Sequence, residues 1–181
     1  SNRLACLLTA DWLGYDFAKR TTTDAASAGT RSTRENCGGM SLNLYMKVLK
    51  MITVKINGAT ATIILDRAPR CNALNRQMVE QLSQALGDVR LEKKVRGVVL
   101  TGAGAHFCAG LDLHQLQETS QDDESMSQWY EDALGLQTVL EQMLQFPKPI
   151  VAAVDGAAMA SGLALVLASD LVVASGRATF S

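Results

Sequence analysis

The chain has 181 residues, of which 48% are apolar, and its 17 lysines and arginines nearly balance its 18 aspartates and glutamates, leaving a formal net charge of −1. This composition provides enough apolar side chains for one compact domain with a sizeable core, and it excludes a wholly disordered chain. The Lys and Arg residues form no cluster, which argues against a nucleic-acid partner, because such a partner needs many cations on one face.

The cysteines and the apolar runs indicate the class of protein. Four cysteines, Cys6, Cys37, Cys71 and Cys108, show neither CxxC pairs nor the histidine spacing of a zinc site, so we expect reduced thiols and no metal. The longest apolar runs, residues 163–168 and 171–174, are separated by Ser169 and Asp170 and are too short to span a membrane. The sequence therefore predicts a cytoplasmic protein without a membrane partner.

Residues 1–50 differ in pattern from the rest of the chain. Gly, Ser, Thr and Arg are scattered through them, and no apolar period of 2 or 3.6 is sustained. They contain acidic residues, unlike a transit peptide, and lack the apolar core of a signal peptide. We interpret residues 1–50 as an irregular N-terminal extension and residues 51–181 as the N-terminal part of a folded domain.

Regular patterns begin at Ile52. The runs ITVKIN and ATATIILD predict two strands, and Asn57-Gly58 between them favours a tight hairpin, because this dipeptide tolerates positive φ angles. Residues 75–89 carry apolar side chains at helical spacing. GVVLT, at residues 97–101, is typical of a strand that is buried on both faces.

The same order of elements follows in the second half. A helix is predicted over residues 127–145, where Pro147 and Pro149 stop it, and PIVAAV then predicts a buried strand. AAMASGLALVLAS indicates the start of another helix, and DLVVAS a further strand. Alternating strands and helices with short connections predict right-handed crossovers in a layered α/β domain.

Two segments rich in small residues lie where a strand leads into a helix. Junction I is residues 101–113 (TGAGAHFCAGLDL) and junction II is residues 154–163 (VDGAAMASGL). Small residues let the backbone turn sharply and leave amide N–H groups uncovered. Two facing junctions could donate two N–H groups to one oxygen and stabilise an oxyanion. Alternatively, the Gly/Ala runs only allow a helix to pack closely on the sheet.

The segments LDRAPRCNALN, GVVLTGAGAHFCAGLDL, FPKPIVAAVDGAAMASGLALVLASDLVVAS and ATFS, in this order, resemble the crotonase superfamily, the enoyl-CoA hydratase/isomerase family. The resemblance implies an α/β fold of the ClpP/crotonase type, a spiral of β-β-α units, which is incomplete here because the match ends before the family's C-terminal part. It further implies a homotrimer or hexamer for the full-length family member. The implied activity is that of a lyase or isomerase of acyl-CoA metabolism that stabilises a thioester enolate.

Site residues follow from the resemblance position by position. The oxyanion-hole amides map to Leu111 and Ser161. The positions implied to contact the coenzyme A part of the substrate are Arg70, Cys71, Ala73, Ala109, Leu111, Asp112, Leu113, Ser161 and Gly162. Coenzyme A enters as part of the substrate, and no separate cofactor is implied.

The sequence departs from the family pattern at the proton-transfer residues. One of the two glutamates of a hydratase maps to Ala164, and the other would lie beyond Ser181. A non-catalytic acyl-CoA-binding remnant therefore stays open as an alternative. His106 and His114 are candidate substitutes, although a loop histidine is more often solvated.

Other polar residues of the junctions have simpler interpretations. Asp112 is better placed to cap a helix than to catalyse, and Asp155 is typical of a turn. Cys71 and Cys108 fit packing positions better than nucleophiles. Because Clp-type proteases share the fold, Ser161 could instead be a nucleophile, but no histidine follows it in the sequence.

Overall fold

The computed structural model describes residues 7–9, 45–49, 51–120 and 125–181. Cys6 and Cys37 lie outside these ranges. The strands are β1 Leu7–Thr9, β2 Tyr45–Leu49, β3 Ile52–Asn57, β4 Thr60–Leu65, β5 Gly97–Gly102, β6 Ile150–Val154, β7 Ala157–Ala158, β8 Leu171–Ala174 and β9 Thr179–Phe180. The helices are α1 Arg76–Leu91, α2 Leu113–Thr119, α3 Ser125–Leu144 and α4 Ser161–Leu167, with a short 3₁₀ helix at Ala68–Arg70.

A mixed sheet forms the centre of the fold, with the strand order β1-β8-β6-β5-β4-β3-β2. The predicted hairpin is confirmed, because β3 and β4 pair antiparallel and Gly58 in the turn has φ +58°. Strands β4, β5, β6 and β8 run parallel, as buried strands joined by helical crossovers do. The layered α/β arrangement expected from the sequence is confirmed.

Residues 1–50, interpreted above as an irregular extension, contribute two strands to the sheet. β2 pairs antiparallel with β3 along its whole length, and β1 pairs parallel with β8. The sheet therefore extends across the boundary that was predicted at residue 50. The apolar periodicity of the sequence did not indicate β2. An edge strand is stabilised by its hydrogen bonds to the neighbouring strand as much as by its own pattern of apolar residues.

Helix α1 forms where the apolar spacing predicted it. The side chain of Asn75 caps its start by accepting a hydrogen bond from Met78 N at 2.9 Å. Its buried face packs on the sheet through Met78, Val79, Leu82, Ala85, Leu86 and Val89. At the far end Lys148 Nζ donates to the carbonyls of Val89 and Glu92, at 2.7 Å each, which satisfies acceptors that the helix leaves free.

Helix α3 packs against α1 with its C-terminal half. Val139 and Met143 are fully buried there, and a side chain of this size contributes roughly 1.5–3 kcal/mol when it leaves water. The N-terminal half instead exposes Met126, Trp129 and Tyr130.

No helix in the described part of the chain is both long and apolar enough to cross a membrane.

A second, shorter sheet lies beside the main sheet. Backbone pairing in and next to this sheet connects the two junctions. β7 pairs parallel with β9. Isolated parallel bridges join Cys108 to Ala158 and Leu74 to Leu111. Junction I therefore lies between junction II on one side and the loop that precedes α1 on the other.

Candidate functional site

Junctions I and II touch through their backbones. Gly110 has φ +98°, and a β-carbon on it would lie 3.1 Å from both Ala160 Cβ and Met159 O and 3.7 Å from Ser161 N. Both the positive φ and the close approach require glycine at this position. The structure thus brings together the two segments in which Leu111 and Ser161 were expected to act.

Backbone hydrogen bonds between junctions I and II stabilise their close contact. Cys108 N donates to Ala157 O at 3.0 Å, and Met159 N donates to Cys108 O at 2.9 Å. Gly162 is buried against the same carbonyl. The close packing that was one interpretation of the Gly/Ala runs is therefore present, together with the juxtaposition that an oxyanion hole needs.

The N–H group of Leu111 is left without a backbone partner in the described residues. Leu74 N donates to Gly110 O at 2.7 Å, and Asp112 N donates to Leu74 O at 2.9 Å, so the residues on both sides of Leu111 are bound. In a parallel bridge of this kind, the residue between the two bonded positions, here Leu111, directs its own N–H away from the bridge partner, here Leu74. Leu111 itself is 39% exposed.

Ser161 is the first residue of α4, and its N–H also donates to no backbone acceptor among the described residues. The first N–H groups of a helix lack intrahelical partners. The chain enters α4 through Ala160, which adopts φ 47° and ψ −117°, a conformation that is rare outside glycine. The sharp turn therefore presents the Ser161 amide where junction II meets Gly110.

The Ser161 side chain is placed differently from its amide. Its Oγ is buried and has no hydrogen-bond partner in the described residues. His106 Nδ1 instead accepts from Ala157 N at 3.4 Å, and His114 Nδ1 lies 3.3 Å from Glu118 on α2. Neither histidine is arranged as a base for Ser161, so the geometry gives the serine-nucleophile hypothesis no support.

Asp112 binds an arginine that the sequence interpretation missed. Its Oδ2 lies 2.5 Å from Arg67 Nη1, and its Oδ1 accepts from His114 N at 3.0 Å, which confirms the predicted helix cap. Partial burial by itself would raise the pKa of the Asp112 carboxyl, but the hydrogen bonds from Arg67 and the His114 amide lower it below its ordinary value. The carboxylate is thus occupied within the protein and is not free for a ligand.

Asn72 is a second residue that the sequence interpretation missed. It is fully buried, and its side chain donates to Ala103 O at 2.8 Å and to His106 O at 2.7 Å while accepting from Arg67 N at 2.9 Å. Asn72 therefore ties the loop before α1 to junction I. The available sequence signal was an asparagine within a turn-like segment, since Asn tolerates the left-handed backbone of tight turns, and Asn72 adopts φ 56°.

The residues expected to contact coenzyme A fall on two adjoining segments. Ala109 N donates to Cys71 O at 3.0 Å, which joins the loop before α1 to junction I. Arg70, Cys71 and Leu113 are exposed, whereas Ala73 and Ala109 are half-buried. An exposed arginine is suited to a phosphate group.

A cavity of about 520 Å³ lies between α1, α2 and α3, beside Leu111. Leu111 and Asp112 line it, but the other residues expected at the site do not. Its walls are mainly apolar, with polar groups from α1 and α3, and include Leu74, Val79, Glu80, Leu116, Trp129, Glu131, Gly135, Leu136 and Leu140. Such a space accommodates an apolar group of moderate size.

One arginine connects the three helices around the cavity. Arg76 N donates to Gln115 Oε1 of α2 at 2.9 Å. Its guanidinium donates to both carboxylate oxygens of Asp132 on α3, at 2.6 and 3.0 Å. This paired geometry fixes the N-terminal half of α3 relative to α1.

The remaining junction residues have structural roles. Asp155 accepts from Ser175 Oγ and Arg177 Nε, at 2.7 Å each, and the hydrogen bond from Arg177 is the main cause of its lowered pKa. Cys108 is fully buried, and burial raises its pKa to about 11, which agrees with a packing position. Within the described residues, no three His, Cys, Asp or Glu side chains are grouped so as to hold a metal ion.

Comparison with known proteins gives consistent matches. The family described as enoyl-CoA hydratase/isomerase matches residues 55–181. A 1,2-epoxyphenylacetyl-CoA isomerase of Escherichia coli is 30% identical over 74% of this chain and 50% of its own length. A 4-chlorobenzoyl coenzyme A dehalogenase of an Arthrobacter species is 35% identical over 71% of this chain and 46% of its own.

Solved structures match in the same region. The crystal structure of an enoyl-CoA hydratase from Shewanella pealeana superposes with a TM-score of 0.69 at 30% identity, over 73% of this chain and 49% of that one. The expected fold is thereby confirmed in the part of it that the chain covers. The chain spans about half the length of the relatives it matches.

Proposed function

Because this chain belongs to the enoyl-CoA hydratase/isomerase family, the crotonase superfamily, we propose that it binds an acyl-CoA thioester and stabilises the enolate derived from it between the N–H groups of Leu111 and Ser161. The observation that carries the proposal is the meeting of the two junctions at Gly110, with both amides unbound by backbone acceptors in the described residues. Two donors that are oriented toward one oxygen before the reaction need no reorganisation when charge develops on that oxygen.

The geometry supports a division of the ligand between two regions. The acyl group would occupy the cavity beside Leu111, whose walls are mainly apolar. The coenzyme A part would lie over the exposed side chains of Arg70, Cys71 and Leu113, with Arg70 near a phosphate. We propose no cofactor beyond the coenzyme A of the substrate.

Proton transfer must use a group other than residue 164. Ala164 lies one turn into α4 and has no titratable group. Among the described residues, Glu80 of α1 and Glu131 of α3 line the cavity that Leu111 borders. A carboxylate there could exchange a proton with the α-carbon of the bound thioester. Lyase and isomerase chemistry are both compatible with such an arrangement.

A binding protein without catalysis is the second candidate. It is favoured by Ala164, which has no titratable group. It is also favoured by the ion pairs of Asp112 and Asp155, which leave neither carboxylate free to transfer a proton. Binding needs only the two donor amides and the exposed surface at Arg70, Cys71 and Leu113. Turnover therefore separates the two candidates, while binding does not.

The proposal is tested with butyryl-CoA labelled with ¹³C at the thioester carbonyl. Difference infrared spectra of the purified protein should show the bound carbonyl stretch at lower frequency than that of free butyryl-CoA, because two hydrogen bonds polarise the bond. Binding with an unshifted carbonyl, or no binding, would contradict the oxyanion hole.

The same ligand in D₂O distinguishes the enzyme from the binder. An enolate-forming enzyme should introduce deuterium at the α-carbon, as measured by mass spectrometry, and Glu80→Gln or Glu131→Gln should slow that exchange if the carboxylate transfers the proton. A shifted carbonyl without exchange, and without turnover of enoyl-, dienoyl- or malonyl-CoA, would favour the binding protein. We propose assembly as a trimer or hexamer from the family resemblance, and a cytoplasmic location from the cysteine pattern of the sequence.

A further inference from the structure

One guanidinium nitrogen joins the two backbone segments on either side of the Leu74–Leu111 bridge. Arg67 Nη1 lies 2.5 Å from Asp112 Oδ2 and donates to Ala73 O at 3.0 Å. Asp112 directly follows Leu111, and Ala73 directly precedes Leu74. Arg67 therefore connects the neighbours of both bridge residues.

The ion pair completes a set of contacts around a single amide. Leu74 N donates to Gly110 O, and Asp112 N donates to Leu74 O, which holds the peptide units on both sides of Leu111. The carboxylate of Asp112 is held in turn by Arg67 and by His114 N. Among the described residues, the Leu111 N–H has no backbone acceptor, whereas the peptide units before and after it are held by hydrogen bonds.

Capping α2 does not require this arginine. Asp112 Oδ1 alone accepts the hydrogen bond from His114 N that caps the helix. The side chains of Arg67 and Asp112 are only 20% and 10% exposed, so both charges lose most of their hydration when they pair. The ion pair is not needed for the cap and lies at the residue next to Leu111, which points to a role in setting the local backbone.

We propose that Arg67 and Asp112 are positioning residues that orient the Leu111 N–H toward the thioester oxygen. The inference rests on the proposed function, because it assumes that Leu111 donates to the substrate. Both residues act through the backbone of Leu111 and do not touch the reacting carbonyl. Their loss should weaken polarisation of the carbonyl more than it weakens ligand binding.

Arg67→Met and Asp112→Asn test the pair. Asn retains an oxygen that can cap α2, and Met retains most of the apolar stem of arginine. With the labelled butyryl-CoA, each variant should lose about half or more of the carbonyl frequency shift, whereas Kd should change less than about tenfold, since the main binding contacts lie elsewhere. Arg67→Lys, which keeps a cation, should recover part of the shift.

Arg177→Met is the matched control. It breaks another arginine–aspartate pair, that of Arg177 with Asp155, and should keep the wild-type shift. A full shift in folded Arg67→Met and Asp112→Asn would overturn the positioning role. If Arg67→Met does not fold, Asp112→Asn and Arg67→Lys decide the question by the same readout. A wild-type protein that binds butyryl-CoA without any shift would instead reject the oxyanion hole, and the positioning role with it.

Discussion

Gly162 packs against Cys108 so closely that a β-carbon at position 162 would lie 2.4 Å from the Cys108 carbonyl oxygen. The contact is between backbones, so no flexible side chain can move to relieve a clash. It joins helix α4, which begins with Ser161, to junction I, which contains Leu111.

Gly162→Ala should therefore lower the free energy of unfolding by about 2 kcal/mol, because overpacking costs more than the gain in helix propensity. Urea denaturation measures the change. Gly135→Ala is the matched control, since Gly135 also lies within a helix but a β-carbon there meets only Val79 Cγ1, at 3.6 Å. That variant should be up to about 1 kcal/mol more stable than the wild type. Equal effects at the two positions would refute the packing argument.

Ser161→Ala should leave stability unchanged or raise it by up to about 1 kcal/mol, because it removes a buried hydroxyl that has no partner in the described residues. The backbone N–H is retained, so α-proton exchange of butyryl-CoA should stay within about threefold of the wild-type rate. Labelling of Ser161 by a fluorophosphonate probe, or abolition of activity in the variant, would instead support a serine nucleophile.

Stability should fall at alkaline pH through Cys108. Its pKa in the folded protein is about 11, raised from 9.0 by burial, so between these values the unfolded chain releases a proton that the folded protein retains. The unfolding free energy should therefore be intact below pH 9 and decrease as pH rises toward 11, by on the order of 2 kcal/mol. Urea unfolding at pH 8 to 11 measures the slope. Cys108→Ala should lack this component, and identical slopes in both proteins would contradict it.

Asn72→Gly should destabilise the protein by about 3 kcal/mol, because it removes three hydrogen bonds and leaves their partly buried partners unsatisfied. Asn72→Ala should cost about 1 kcal/mol more, since alanine is strained at φ 56° whereas glycine is not. Thermal unfolding of the two variants separates the hydrogen bonds from the backbone conformation. If the two variants proved equally stable, strain at this position would be unimportant.

Ala160→Gly should stabilise the fold by about 1 kcal/mol. The conformation of Ala160, φ 47° and ψ −117°, stores strain of order 1–3 kcal/mol that glycine avoids, against an entropic cost of roughly 0.5–1 kcal/mol in the unfolded chain. Differential scanning calorimetry measures the change. A lower melting temperature would mean that the surrounding packing, and not the residue type, sets this turn.

Local signals in the sequence were sufficient for several of the regular elements. The Asn57-Gly58 turn, the apolar spacing of α1 and the continuous apolar strands β5 and β6 each depend on neighbours in the chain, and each was found where it was predicted. β2 was not predicted, because its partner β3, and not its own pattern, makes it a strand.

The sequence by itself determined that two segments of small residues would turn sharply into helices and, through a family resemblance, that Leu111 and Ser161 belong at those turns. Only the tertiary structure decided that Gly110 would bring the segments together and that Arg67 would pair with Asp112. It also buried the Ser161 hydroxyl and opened the cavity between α1, α2 and α3. The physical reason is that backbone turning is governed by the residues at the turn, whereas desolvated ion pairs, buried hydroxyls and cavities depend on groups that folding alone brings into contact.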